Sequence, residues 1–119
     1  MEWKLNDDRP IWLQLAEQMT RRIITGVYPP GSKLPPVREL AAEAGVNPNT
    51  MQRALAQLEQ DGLAKADRTA GRLVTQDTAI LAAVRRAEAH VVVNQYYHAM
   101  AELGYSQQEA TAMLKEEHT

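Results

Sequence analysis

The sequence contains no cysteine. This absence excludes disulfide bonds, thiolate nucleophiles, iron–sulfur clusters and zinc sites built from cysteine. The sequence also lacks an unbroken run of about 18 apolar residues, the length that a membrane-spanning helix requires. The first 20 residues show neither the basic start nor the apolar core of a signal peptide. We therefore expect a cytoplasmic protein that does not associate with a membrane. At 45% hydrophobic residues, the chain is too apolar for intrinsic disorder.

The usual sequence signs of catalysis are missing as well. There is no phosphate-binding loop and no dinucleotide fingerprint, and no carboxylate is grouped with a histidine or a nucleophile at a catalytic spacing. His90, His98 and His118 are the only histidines, and we expect ordinary surface or interface roles for them. The sequence therefore predicts no enzyme activity, no cofactor and no metal site.

Charge and helix-breaking residues are unevenly distributed along the chain. Residues 1–76 carry a net charge of +1 and residues 77–119 a net charge of −3. All six prolines and five of the six glycines precede residue 77. This distribution predicts a compact domain of short elements separated by turns over residues 1–76 and a helical tail over residues 77–119.

Hydrophobic spacing predicts a first helix that begins at Pro10, a residue suited to a first helical turn. Arg21 and Arg22 lie off its apolar face, and Gly26 ends it or nearly ends it. The apolar residues that recur on that face are Trp12, Leu15, Ala16, Met19, Ile23 and Val27.

Two further helices follow, separated by a tight turn. Pro35-Pro36 opens the second helix and Gly45 stops it. Asn47 is a candidate N-cap, Pro48 suits the first helical position, and the third helix runs to about Asp61. Two helices joined by a turn that contains glycine make a helix-turn-helix.

The third helix has the outer face that a DNA-reading helix needs. Met51, Leu55 and Leu58 are spaced to face the core, whereas the opposite face is polar and carries a single charge. The residues of that opposite face are Asn49, Gln52, Arg53, Ala56 and Gln60. A recognition helix enters a major groove about 12 Å wide, where Asn and Gln bind adenine bidentately and Arg binds guanine in the same way.

A short hairpin follows, with strands expected at residues 63–66 and 72–75. Arg68 and Arg72 flank its tip, where they are placed to meet phosphates or a minor groove. Arg38 begins the second helix, within reach of the DNA backbone or a base edge. A hairpin in this position is the wing of a winged helix-turn-helix.

Three runs of the sequence carry a family resemblance: PIWLQ at residues 10–14, PGSKLPPVRELA at 30–41 and GVNPNTMQRA at 45–54. Together they resemble the winged helix-turn-helix of the GntR family of bacterial transcription regulators. The run ELGYSQQEATAMLKE at 102–116 is similar to the tail of the YtrA-like subfamily. The resemblance implies DNA contacts by the second and third helices, with Asn47 near the phosphates. With the wing, the predicted DNA-binding residues are Arg38, Asn47, Asn49, Thr50, Gln52, Arg53, Arg68, Gly71 and Arg72.

The sequence departs from the family pattern at three positions. Pro36 stands where the family usually has a serine whose hydroxyl caps the helix and touches a phosphate. In the wing, Thr69 replaces a glycine and Leu73 replaces the usual aromatic residue. The resemblance therefore carries over less directly to the fine geometry of the wing, where Arg72 supplies a charge that the usual motif lacks.

The tail is predicted to form two helices, one over about residues 77–103 and one that begins at the capping box Ser106-x-x-Glu109. Apolar residues outnumber polar ones in the first of these helices, and about 40 residues cannot bury such a surface alone. We expect a second copy to cover it in a C2 dimer, and the alternative is a tail that folds back on its own winged domain. The predicted dimerisation residues are Ile80, Val84, Val91, Val92, Tyr96 and Met100.

These observations predict a mainly α fold, with three helices and a small β hairpin followed by a two-helix dimerisation tail. The predicted function is sequence-specific binding of double-stranded DNA by a homodimer, whose C2 symmetry implies an inverted-repeat operator. The resemblance implies that the protein is a repressor. The resemblance also implies that the protein controls its own operon together with ABC-transporter genes. Any small effector is expected at the dimer interface or between the tail and the winged domain. The alternative is a helical adaptor that uses the winged fold for protein contacts. Arg85-Arg86 alone argues weakly for a membrane surface module.

Overall fold

The computed structural model describes residues 2–117, which form five helices and one two-stranded hairpin. In chain order the elements are α1 (Ile11–Ile24), α2 (Val37–Ala44), α3 (Pro48–Gln60), β1 (Ala64–Asp67), β2 (Gly71–Val74), α4 (Thr78–Glu102) and α5 (Gln107–Glu117). The predicted fold class, a mainly α winged helix-turn-helix followed by two helices, is confirmed.

The chain divides into two compact units, one up to Ala82 and one from Ala83. The division falls inside α4, so the first turn of that helix belongs with the winged unit. In the winged unit α3 packs against α1, α2 and β1. The core consists of fully or almost fully buried apolar side chains from α1, α2, α3, β2 and the loops between them, including Leu15, Met19, Ile23, Leu34, Leu40, Met51, Leu55, Leu58, Leu63 and Val74.

The turn between α2 and α3 follows from local chemistry. Gly45 ends α2 with a φ of 71°, a left-handed conformation that glycine adopts without steric cost. The side-chain oxygen of Asn47 accepts a hydrogen bond from the backbone N–H of Asn49 at 2.7 Å, and Pro48 occupies the first turn of α3. The predicted N-cap of the third helix is therefore confirmed. Pro36, at the start of α2, makes no side-chain capping bond.

The hairpin pairs Ala64 with Val74 at one end and Asp67 with Gly71 at the other. Its strands are displaced by one residue from the expected ranges. Leu63 is held at the end of α3, where its N–H donates to the carbonyl of Leu58 at 2.9 Å. Its own carbonyl accepts from the N–H of Thr75 just beyond the paired strands.

Two expectations about α1 were wrong. Val27 lies beyond the end of the helix and is exposed, because α1 stops at Ile24 and the chain turns at Gly26. Arg22, expected off the buried face, is only 5% exposed. Its guanidinium lies 3.9 Å from the centroid of the Trp3 ring and bonds Glu43 on α2, so the residues that precede α1 cover it.

Residues 2–9 form an N-terminal segment that runs along α1 without helix or strand of its own. Two glutamines one helical turn apart hold it. Gln18 accepts from the N–H of Lys4 and donates to the carbonyl of the same residue, and Gln14 does the same with Asn6. Each side-chain amide therefore pairs with the segment as a neighbouring strand would.

The second unit contains most of α4 and all of α5. The predicted capping box is present: Glu109 accepts from the N–H of Ser106, and the Ser106 hydroxyl accepts from the N–H of Glu109. Tyr96 on α4 donates its hydroxyl to the carbonyl of Ala110 at 2.7 Å, which ties α4 to α5. Among residues 2–117, no helix is long and apolar enough to cross a membrane.

Candidate nucleic-acid interface

The outer face of α3 presents the side chains that the sequence predicts for DNA reading. Asn49, Gln52 and Arg53 are exposed, and Thr50 is half-buried. Residues 49, 52 and 53 share one face, because positions three and four apart are neighbours on a helix. Ala56 and Gln60 continue this face, which bears no acidic residue. The predicted inner residues Met51, Leu55 and Leu58 are buried, so the division of α3 into two faces is confirmed.

Arg53 carries the only positive charge of that face, and it is stacked. Its Cζ atom lies 4.2 Å from the centroid of the Trp12 ring, at the start of α1. Within residues 2–117, the structure records no hydrogen bond or ion pair of the Arg53 guanidinium. A guanidinium carries its five N–H donors in its own plane, so stacking on a ring leaves those donors available.

Two predicted residues lie near the first turns of α2 and α3. Arg38 is exposed in the first turn of α2, two residues after Pro36. Asn47 is exposed too, but its side-chain oxygen is committed to capping α3. Its amide N–H groups are donors and suit a phosphate oxygen.

The tip of the wing is organised around one carboxylate. The Oδ1 atom of Asp67 accepts hydrogen bonds from the N–H of Ala70, the hydroxyl of Thr69 and the N–H of Thr69, and the three donor–acceptor distances are at most 2.9 Å. These three hydrogen bonds, that from Ala70 first, lower the pKa of Asp67 below its ordinary value. Thr69 therefore takes a structural role where the family pattern has glycine, and Arg68 is left exposed at the tip.

Arg72 is placed differently from Arg68. Its Nε atom is hydrogen-bonded and ion-paired with a carboxylate oxygen of Glu59 on α3, and the side chains are 20% and 32% exposed. The neighbouring Gly71 has a φ of 85°, which only glycine adopts readily, and this allows the chain to enter β2. Sequence reasoning missed Glu59, since nothing in the local pattern links residues 13 positions apart on a helix and a strand.

The predicted dimerisation residues fall into two groups. Val91 and Val92 on α4 are more than half exposed in the single chain, and Val84, Tyr96 and Met100 are half-buried. Ile80 lies in the first turn of α4, and a methyl group added at Gly62 would lie 3.5 Å from its Cδ1 atom. Tyr96 is partly used within its own unit, through its bond to α5.

Two of the three histidines, His90 and His98, lie in the part of the chain that the structure describes. Among residues 2–117 no group of three or more His, Cys, Asp or Glu side chains could hold a metal ion. His98 approaches Glu102, one turn further along α4, at 3.2 Å, with both side chains largely exposed. His118 lies outside the described residues.

Comparison with known proteins places this interface in a family. Residues 12–74 match the family model described as bacterial regulatory proteins, gntR family. The chain is 31% identical to the HTH-type transcriptional regulator YhcF of Bacillus subtilis over 97% of its own length and 95% of that protein. The HTH-type transcriptional repressor YtrA of the same organism is 38% identical over 57% of this chain and 52% of its own length. A solved GntR family transcriptional regulator from Listeria monocytogenes has a TM-score of 0.84 and 32% identity, covering 94% of this chain and 98% of that one.

Proposed function

Because the chain belongs to the gntR family of bacterial regulatory proteins and is therefore a DNA-binding transcriptional regulator, we propose that it acts as a dimeric repressor at an inverted-repeat operator. Members of this family are regulators and not enzymes. The observation that carries the proposal is the outer face of α3, which is uncharged except for an arginine whose donors have no hydrogen-bond partner among residues 2–117.

The proposed contacts divide by chemistry. On α3, Asn49, Gln52 and Arg53 are the candidates for base edges, because their side chains form the bidentate pairs that distinguish adenine and guanine. Arg38, Asn47 and Arg68 are the candidates for phosphates, which fix the register of the protein on the duplex. Thr50, Gly71 and Arg72 complete the proposed interface, but the charge of Arg72 is offset there by its ion pair with Glu59.

The proposed dimer rests on the surface of α4. None of the 25 residues of this helix is buried in the single chain. Val91, Val92 and Val93 are each about half exposed or more, and Leu103 and Leu114 add to the apolar surface. A second copy would remove this surface from water, and burying apolar area is the main favourable term in association. In a C2 dimer the two α3 helices are related by the axis, so the operator is an inverted repeat.

The proposed sign of regulation is extended from one relative. YtrA of Bacillus subtilis is a transcriptional repressor by name, and we extend repression to this chain. We further propose that the regulated genes are its own operon with ABC-transporter genes. In this proposal any small effector binds where the two copies meet.

The test begins with the duplex that the protein selects from a random-sequence pool and with the DNA upstream of its own gene. We expect both to contain the same inverted repeat and to shift in a mobility assay as a complex with two chains. Binding should weaken steeply as salt rises, since phosphate contacts release counterions. Selection of an asymmetric site, or binding that is indifferent to salt, would contradict the proposal.

Arg53→Ala probes the reading face. It should cost about 1–3 kcal/mol per half-site and relax the preference at one symmetric base pair. Arg21→Ala is the matched control, because Arg21 is an exposed arginine of α1 and its loss changes the net charge equally. If Arg53→Ala weakens binding to every single-base variant equally, Arg53 contacts a phosphate and not a base.

A further inference from the structure

The two tryptophans of the chain each lie beneath an arginine, but the two pairs differ. Arg22 over Trp3 is buried and is also hydrogen-bonded to Tyr28 and Glu43. Arg53 over Trp12 is exposed, and the ring is its one recorded partner within residues 2–117. The first arrangement joins parts of the fold, whereas the second leaves a charged group facing solvent in a fixed place.

We propose that Trp12 is a positioning residue for DNA reading: its indole face orients the Arg53 guanidinium so that the in-plane donors of Arg53 meet a base edge. The inference rests on the proposed function, because it assumes that Arg53 contacts DNA. Trp12 itself touches no base in this proposal. It acts on binding through the orientation of Arg53.

The geometry favours this role over a purely structural one. Fully buried side chains, Leu15 and Met19 on α1 with Met51 and Leu55 on α3, already join the two helices. The stack lies outside that core, since Arg53 is exposed and Trp12 only half-buried. It therefore adds little to the packing of the helices but restricts a long side chain that would otherwise sample many rotamers.

Stacking also matches what bidentate recognition requires. Arginine stacks on aromatic faces through its own flat face, and it binds base edges through the perimeter of that plane. The two contacts are compatible, so a guanidinium held on Trp12 keeps its donors aligned before DNA arrives. An exposed cation–π contact corresponds to about a two- to fivefold effect on an equilibrium constant. For two half-sites in a dimer the effect is about five- to thirtyfold.

The experiment is a double-mutant cycle between Trp12 and Arg53 in the full chain. The probes are the duplex selected by the wild-type protein and a set of its single-base-pair variants. Trp12→Leu keeps apolar bulk and removes the aromatic face, whereas Trp12→Phe keeps an aromatic face. Trp12→Met replaces Trp12→Leu if thermal unfolding shows that the leucine variant does not fold.

We expect Trp12→Leu to weaken binding to the selected duplex about five- to thirtyfold and to reduce discrimination at the base pair whose preference Arg53→Ala relaxes. Trp12→Phe should retain most of both properties. In the Arg53→Ala background, Trp12→Leu should have no further effect on DNA binding. Trp3→Phe is the control, because it alters the other stacked tryptophan without touching α3.

Two results would overturn the inference, and they are distinguishable. If Arg53→Ala changes base preference but Trp12→Leu weakens binding equally with and without Arg53, the positioning role is wrong and the proposed function stands. If Arg53→Ala changes neither affinity nor base preference, Arg53 does not read DNA, and both the inference and the proposed reading face are wrong.

Discussion

Replacing Glu59 by glutamine should increase the affinity of the protein for DNA through an added contact from the wing. The carboxylate of Glu59 pairs with the Arg72 guanidinium, so this arginine presents no net charge to a phosphate in the wild-type protein. Glu59→Gln keeps the size of the side chain and removes its charge. Arg72 is on a strand next to the exposed Arg68 tip, and once released it should contact the DNA backbone.

The expected magnitude follows from counterion release. Each additional phosphate contact steepens the slope of log affinity against log salt by about 0.9, so a dimer with two released arginines gains about 1.8. Between about 50 and 200 mM salt, affinity should therefore fall about twelvefold more in the variant than in the wild type. At the lower salt concentration the variant should bind more tightly to selected and scrambled duplexes alike, because phosphate contacts carry no sequence information.

The assay is fluorescence anisotropy on both duplexes over a series of salt concentrations, with stability followed by thermal unfolding. Glu59→Gln combined with Arg72→Ala is the control, since it removes the carboxylate but leaves no arginine to release. A steeper slope that persists in the double variant would mean that Glu59 acts by repelling DNA directly. An unchanged slope in Glu59→Gln would refute the reasoning, because Arg72 would then lie out of reach of the phosphates.

Three further predictions concern the tail, the wing and the N-terminal segment. Val91→Asp with Val92→Asp should give monomers of about 13.3 kDa by light scattering without unfolding the chain, because both side chains are half exposed in one copy. The control, Gln107→Glu with Gln108→Glu, adds the same charge and should leave the protein dimeric. The hydrogen bonds that lower the pKa of Asp67 stabilise the wing turn when the pH is above the ordinary pKa of aspartate. This stabilisation is lost as the pH falls through the pKa that Asp67 has in the folded protein. The amide chemical shifts of the turn should therefore change at acid pH in an NMR titration, and Asp67→Ala should produce the same change at neutral pH. Asp67→Asn keeps an acceptor oxygen and should produce a smaller change. Gln14→Ala removes three hydrogen bonds to the N-terminal segment and should lower the free energy of unfolding by about 1–3 kcal/mol in urea; an unchanged value would mean that the segment contributes nothing to the fold.

The features that sequence predicted well are those fixed by neighbouring residues. Asn47 and Pro48 start α3, Gly45 ends α2, and the Ser106–Glu109 box starts α5, each through bonds or steric preferences that span a few positions. The two faces of α3 follow from its period in the same way. These elements carry most of the fold and the candidate reading face, which explains why both could be predicted from the sequence.

The features that sequence reasoning missed depend on contacts between distant residues. Arg22 is buried because Trp3 and Glu43 meet it from the N-terminal segment and from α2, and neither residue is near it in sequence. Glu59 reaches Arg72 only because α3 packs against the hairpin. From the sequence alone, Arg22 resembles a solvent-exposed charge beside Arg21. Its burial becomes evident only when the position of the N-terminal segment in the fold is known.

The departures of the wing from the family pattern alter its charge more than its shape. Thr69 donates twice to Asp67, so the turn is closed by side-chain hydrogen bonds where the pattern relies on glycine. Leu73 is half-buried, and its backbone pairs with Lys33 in a β-bridge, so the residue keeps a place in the sheet. The turn keeps its hydrogen-bonded form, but Glu59 offsets the charge of Arg72. Sequence preference in this regulator should therefore arise on the outer face of α3, where Arg53 is the one charged residue and pairs with no carboxylate among residues 2–117. The wing should contribute mainly through the exposed Arg68.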